Sequence, residues 1–478
     1  MLSELFQFAT ILYDIFMILY VLTIVGTLIV ILSENRNPVK SLAWATVLVL
    51  LPMVGIVLYL FFGRSLKNHH MLSRKNWRRL HAADAAHVPH NLPLTPSGSL
   101  QTHLMASLDQ AAYYEGNDIK IFTSGKSKFD SLMADIKAAK QFVHIQYYIV
   151  EDDNLGRELG ELLIEKVRQG VKVKLIYDHV GSYTIKKSIF KRLRKAGVEA
   201  SPFFEITFTK IANRLNWRNH RKLVIIDGQV GYIGGMNVAD RYVTGDKKSG
   251  PWRDTHLRIS GPAVAAMHNA FATDWYYMRR TLLTLPQESL PQPSATGDAV
   301  QIVASGPTDK WNAISFVVLR AITMAKKNLY IQTPYFLPND PLLRALQVAA
   351  LSGVDVRLMI PRRTDSTLLR LASSSYLKEC LLAGIKVYFY DAAMLHSKVI
   401  IVDDDFVTTG SSNFDFRSFE HNFECNALVY STSFNRRMKD IFIVDQRHST
   451  RLILSHWRRR PLMTKAFESL ARLLAPIL

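Results

Sequence analysis

The sequence predicts an α/β protein built as two similar halves behind an apolar N-terminus. Three observations carry this: an 18-residue segment that occurs twice, a strand–helix–strand pattern ahead of each copy, and two apolar runs before residue 65.

The repeated segment reads HRKLVIIDGQVGYIGGMN from His220 to Asn237 and HSKVIIVDDDFVTTGSSN from His396 to Asn413. His, Lys, Asp, Gly and Asn stand at the same spacing in both. Each copy holds a β-branched, apolar run (LVII, VIIV) followed by a DG or DD turn, so each is predicted as a buried strand. Side chains alternate along a strand, so His220 and Lys222 share one face, as do His396 and Lys398. Asp227 and Asp403 have the opposite parity and fit a structural task. Two facing imidazoles can divide the work of nucleophile and general acid. Lys222, Lys398, Asn237 and Asn413 can meet the charge of a phosphate between them. Such a site needs no metal and no cofactor.

The halves match beyond these segments. FVHIQYYIVEDDNLGRELGELLIEKVRQGVKVKLIYD parallels LYIQTPYFLPNDPLLRALQVAALSGVDVRLMIP. Each reads as strand, loop, helix, Gly turn, strand, a βαβ unit with a right-handed crossover. A helix ending in Gly and another strand follow (RLRKAGVEA; KECLLAGIKVY). The first half carries an insertion, FFEITFTKIANRLNWRN, which fits a loop at the site mouth. Two such halves are expected to pack about a pseudo-twofold axis, their functional strand ends facing one cleft.

The N-terminal runs span Phe6–Leu32 and Ser41–Phe62, the second without a charge and holding Pro52 and Gly55. Both are long enough to cross a bilayer as helices. Arg64, Lys67, Arg74, Lys75, Arg78 and Arg79 follow the second run, which predicts a cytoplasmic location for what comes after. The expected organisation is a transmembrane hairpin over 1–65, a basic juxtamembrane linker over 66–100, the first half over 101–284, a Pro/Ser/Gln-rich linker over 285–298 and the second half over 299–478. The second half ends in an amphipathic stretch, Leu462, Ala466, Leu470, Leu473 and Leu474 lying at helical spacing, which reads equally as an interfacial helix or one packed on its own half. A net charge of +19, from 59 basic against 40 acidic residues, favours an anionic partner, lipid surface or nucleic acid. The apolar runs favour lipid. Cys380 and Cys425 have no metal or redox spacing and are expected in the core.

The paired motifs resemble the HKD signature of the phospholipase D superfamily in its two-motif, single-chain form. The stretch NRNPVKSLAWATVLVLLPMVGIVLYLFFGR resembles the membrane segment of bacterial cardiolipin synthases. The resemblance implies two phospholipase D-like halves and ping-pong transfer of a phosphatidyl group between two phosphatidylglycerol molecules at a bacterial inner membrane. The apolar runs and the lack of a recognised nucleic-acid-binding module argue against a nucleic acid partner. The resemblance also implies His220 as nucleophile through a phosphatidyl-histidine intermediate and His396 as acid, then base. Asp254 and Glu424 would each orient a catalytic imidazole, without indicating which. Arg417 would contact phosphate, and Asp227 and Asp403 would count with the signature. Ser411 stands at the family's Gly-Ser position, where the first copy has Gly235. The alternative is a membrane-tethered phosphodiesterase that passes the same intermediate to water, acting on phospholipid or nucleic acid.

Overall fold

The computed structural model describes residues 2–33, 38–59, 63, 71–80, 101, 103–105, 107–108, 111–182, 188–205, 217–247, 249–285, 289 and 291–475. It divides into an N-terminal unit and a large catalytic unit.

In the N-terminal unit, α1 runs over Leu2–Ser33. Among the described residues its Phe6–Ile29 stretch is the one helix long and apolar enough to cross a membrane. The second apolar run departs from the single helix expected: it forms α2 (Pro38–Leu50) and α3 (Pro52–Leu58). The break follows from Pro52, which has no N–H to donate and pushes the preceding residue out of the helical region. Leu51 accordingly sits at φ −132°, ψ 67°. The bend brings α3 back along α2, and a Cβ on Gly55 would lie 2.8 Å from the Val47 carbonyl oxygen. Ile31, Leu48 and Tyr59 form a small core here, with Trp44 edge-on to Tyr59.

In the catalytic unit the first half contributes β1 (Tyr113–Phe122), β2 (Phe142–Tyr147), β3 (Lys172–Asp178), β4 (Glu199–Phe203), β5 (Arg218–Asn219), β6 (Leu223–Ile226), β7 (Val230–Gly234), β8 (Trp252–Arg253) and β9 (His256–Ser260). The second contributes β10 (Asp298–Ser305), β11 (Asn328–Gln332), β12 (Phe336–Leu337), β13 (Asp355–Pro361), β14 (Lys386–Tyr390), β15 (Met394–Leu395), β16 (Val399–Val402), β17 (Phe406–Gly410), β18 (Phe414–Asp415), β19 (Asn422–Tyr430) and β20 (Ser449–Arg451). The main sheet has the order β20-β14-β13-β11-β16-β17-β19-β10-β1-β9-β7-β6-β2-β3-β4. Outward from the antiparallel β1–β10 pair, β9-β7-β6-β2-β3-β4 mirror β19-β17-β16-β11-β13-β14, so the two halves repeat about a pseudo-twofold axis.

The βαβ units form where the sequence pattern puts them, with β2, β3 and β4 parallel and β11, β13 and β14 parallel. Matching residues start the crossover helices: Asp153 caps Asn154–Arg168 by accepting from Gly156 N, and Asn339 caps Asp340–Leu351 by accepting from Leu342 N. Each half has its own apolar core around its helices. Cys380 and Cys425 are buried and free.

The signature strands β6 and β16 run antiparallel to β2 and β11. Their leading residues, His-x-Lys, therefore lie beside the carboxyl ends of the parallel strands, where sites form in α/β sheets. All four residues of each strand are buried, as a strand covered on both faces requires. Asp227 and Asp403 lie at the far ends of these strands, at φ +52° and +46°. The Asp227 carboxylate accepts from the backbone N–H of Lys140, Gln141 and Phe142 at 2.7–2.8 Å. Asp403 does the same for Lys326, Lys327 and Asn328. Each pins the entry to the neighbouring strand and is remote from the imidazoles. Asp227→Ala removes three charge-assisted hydrogen bonds, two of which water can replace, and should cost about 1–3 kcal/mol. A thermal melt checks this; an unchanged midpoint would remove the anchoring role.

Candidate active site

Two short parallel pairings cross the seam between the halves. β5 pairs with β19, and β8 with β15. Through them the His220 amide donates to the Phe423 carbonyl at 2.9 Å, and the His396 amide to the Arg253 carbonyl at 2.7 Å. Each histidine is thus fixed against the residue that precedes an acid of the opposite half.

The side chains cross in the same way. His220 Nδ1 lies 3.0 and 3.1 Å from the two oxygens of Glu424. His396 Nδ1 lies 2.6 Å from Asp254 Oδ2. A carboxylate at Nδ1 holds the proton there and leaves the Nε2 lone pair free; this tautomer is inferred from the partners. Lys222 Nζ donates to the His220 carbonyl at 2.7 Å, and Lys398 Nζ donates to the His396 carbonyl. Lys398 Nζ also lies 2.8 Å from His396 Nδ1, whose single hydrogen goes to the nearer carboxylate. Aromatic rings wall the imidazoles: Tyr148 stands edge-on to His220, and Trp252 and Tyr242 flank His396.

All six ionisable groups are buried. Burial pushes both imidazoles down to about 4, against the upward pull of their carboxylates, so both are neutral at pH 7. Burial also lowers Lys398 to about 8, with Asp254 and Glu424 holding it up. For Glu424 burial acts upward, but His220, Lys222 and the Ser411 hydroxyl outweigh it and keep the carboxyl at about 2.

The remaining expected residues surround this set. Ser411 donates from its hydroxyl to Glu424 Oε2, and its Oγ accepts from the Cys425 amide at 2.9 Å. Asn237 Nδ2 donates to Tyr242 OH at 3.0 Å while its Oδ1 accepts from the Ile149 amide. Asn413 Nδ2 donates to Asp415 at 3.0 Å. Arg417, on the short helix Phe416–Glu420, is half-buried and close enough for its charge to act on Tyr148. The insertion expected at the site mouth lies, over residues 206–216, outside the described residues; Trp217, Arg218 and Asn219 at its end are buried.

Sequence reasoning missed several groups. Arg221, between His220 and Lys222, has the opposite parity and points away from the cleft. It bonds Asp274 at 2.6 Å and the Glu424 carbonyl at 3.1 Å, anchoring the acid's backbone. Arg253 crosses the seam to Asp445 and Ser397. Lys128 is fully buried, donates to Tyr147 OH at 2.8 Å, and sits in the field of Asp254. The alternation of HRK is a signal for Arg221; Lys128 has none.

Gly235 explains the departure at the Gly-Ser position. A Cβ there would lie 2.3 Å from Asp254 Oδ1, so a side chain and this carboxylate cannot share the space. In the second half Ser411 touches the longer Glu424 instead. Gly235→Ser should displace Asp254 from His396 and lower turnover at least about tenfold, whereas Ser411→Gly, which removes one hydrogen bond to Glu424, should cost only a few fold. Steady-state rates of the two variants check the order; equal losses would sink it.

This geometry has relatives. The family described as "Cardiolipin synthase, PLD-like domain" matches residues 132–275 and 318–446, and "Phospholipase_D-nuclease N-terminal" matches 19–64. The chain is 39% identical to the major cardiolipin synthase ClsA of Bacillus subtilis, over 96% of this chain and 98% of that one. It is 38% identical to a cardiolipin synthase of Geobacillus kaustophilus, over 98% and 94%. In fold it is similar to the crystal structure of a phosphatidylserine synthase of Haemophilus influenzae, with TM-score 0.58 and 14% identity over 79% of this chain and all of that one. The duplicated His-Lys strands, their two-half sheet and the full-length identity agree: the chain belongs to the bacterial cardiolipin synthases, membrane phosphatidyltransferases of the phospholipase D superfamily.

Proposed function

We propose that this site makes cardiolipin from two phosphatidylglycerol molecules by double displacement, with no metal, cofactor or nucleic acid partner. His220 Nε2 attacks the phosphorus of the first lipid; His396, which takes up a proton at Nε2 when the phosphodiester's negative charge enters the site, gives that proton to the departing glycerol oxygen. A phosphatidyl-histidine results. His396 then takes the proton of the second lipid's terminal hydroxyl, whose oxygen attacks phosphorus and releases His220. The observation that carries this reading is the crossed pairing: each imidazole is held at Nδ1 by a buried carboxylate, which frees Nε2 on both.

In this reading Glu424 and Asp254 orient His220 and His396, and Lys222 and Lys398 hold the non-bridging oxygens. Asn237 and Asn413 serve the same oxygens with their second amide hydrogens, the first being held by Tyr242 and Asp415. Ser411 steadies Glu424, Arg417 meets the incoming phosphate, and Asp227 and Asp403 brace the signature strands. The basic cluster after residue 62 supports a cytoplasmic side for the two halves, 101–284 and 299–478, behind a membrane anchor within 1–65.

Purified protein in phosphatidylglycerol vesicles should yield cardiolipin and free glycerol. His220→Ala should lose on the order of 10³-fold or more of that activity. Phosphatidic acid in place of cardiolipin would make water the acceptor and overturn transfer. The pH profile follows from the site's charges. Lys398 is a cation below about 8 and neutral above it, so turnover should fall as pH rises through that value. Lys398→Arg keeps its charge, and its residual activity should lack this alkaline limb. An unmoved limb would assign it to another group.

A further inference from the structure

The C-terminal helix is attached with its apolar side outward. Leu462–Leu473 packs on the helix Thr367–Leu382. The face it turns inward carries Glu468, Ala471 and, just beyond its end, Ala475, all buried. Its charged groups are tied down: Glu468 pairs with Arg460, and Arg472 pairs with Glu379 at 2.6 Å while stacking over Tyr376. Leu462, Met463, Phe467, Leu470 and Leu473 are left 55–81% exposed. With Ala466 and Leu474 they cover about 140° of the helix at 100° per residue. Soluble surfaces rarely leave so ordered an apolar stripe in water.

The surroundings select the occupant. Arg458 and Arg459 are exposed beside the start of the helix, and Lys465 lies on its flank. An apolar stripe edged by cations matches the boundary between acyl chains and anionic headgroups. We propose that this helix is a second membrane contact, through which the catalytic unit itself docks on a bilayer rich in anionic phospholipid. The ion pairs to Arg460 and Glu379 serve to keep the leucines facing out. The proposal rests on the family's membrane chemistry but not on the assigned roles of the site residues.

Spin labels on the full-length chain test it. Cys380 and Cys425 are buried, so a thiol label goes to an introduced cysteine. Leu470→Cys and Leu473→Cys are compared with Lys126→Cys, whose side chain is 72% exposed in the first half. In phosphatidylglycerol/phosphatidylcholine vesicles the two leucine positions should become several-fold more accessible to oxygen and several-fold less accessible to a water-soluble nickel chelate than the Lys126 position. The contrast should shrink in phosphatidylcholine alone. Equal chelate access at all three positions overturns the proposal. So does protection already present in detergent with dipolar broadening between labels, since a second copy would then cover the stripe. Leu470→Gln with Leu473→Gln should raise the KM for vesicle lipid several-fold and leave the melt and the rate in mixed micelles unchanged. If wild type made no cardiolipin in micelles while the labels entered lipid, the catalytic reading would fail and the contact would stand.

Discussion

The structure depends on one exchange: each half supplies the carboxylate for the other half's histidine. Six ionisable side chains are buried at this seam, and a buried charge without a partner costs several kcal/mol. Neither half can satisfy its own set. His220 has its acid on β19 and His396 has its acid beside β8. The β5–β19 and β8–β15 pairings hold these contacts in register; Arg221 reaches across to the Glu424 carbonyl on β19, and Arg253 to Asp445 and Ser397. A single half would expose a lysine, an imidazole and an acid without the partners they meet across the seam. Docking of the halves and assembly of the site are therefore one event.

The charges also couple protonation to substrate. Burial leaves both imidazoles neutral. A neutral imidazole suits a nucleophile but not an acid. A phosphodiester brings one negative charge between the imidazoles. That charge favours an imidazolium, so under the proposed roles lipid binding is what protonates His396. In that scheme the acid is formed only when there is a leaving group to receive its proton.

Much of this was legible in the sequence because it is periodic. The alternation of His and Lys gives a shared face, and the matched spacing gives the twofold sheet. The opposite parity of Asp227 and Asp403 leads to the turn where they do sit. What was not legible is long-range. Nothing local in the sequence joins His220 to Glu424, 204 residues away, or His396 to Asp254, 142 away. The choice between self and crossed pairing is made by the seam, which exists only in the folded chain. The bend at Leu51 is a different kind of miss, since Pro52 announces it and the apolar run obscured it. Arg221 was missed because attention to His and Lys passes over the residue between them.

The near-symmetry of the halves sharpens the difference between them. Both acids must reach an Nδ1 held by the same backbone arrangement, yet Asp254 is one methylene shorter than Glu424. The shorter acid lies against bare backbone at Gly235, where no Cβ fits. The longer one reaches out to a hydroxyl at Ser411, which donates to Oε2 while Asn422 donates to Oε1 and the imidazole lies against both oxygens. Residue size at the Gly-Ser position and acid length are therefore one choice made twice. Gly goes with Asp and Ser with Glu, and a change to either member alone leaves the imidazole with an acid that is displaced or under-supported. The repeat is thus kept as geometry at Nδ1 and not as residue identity.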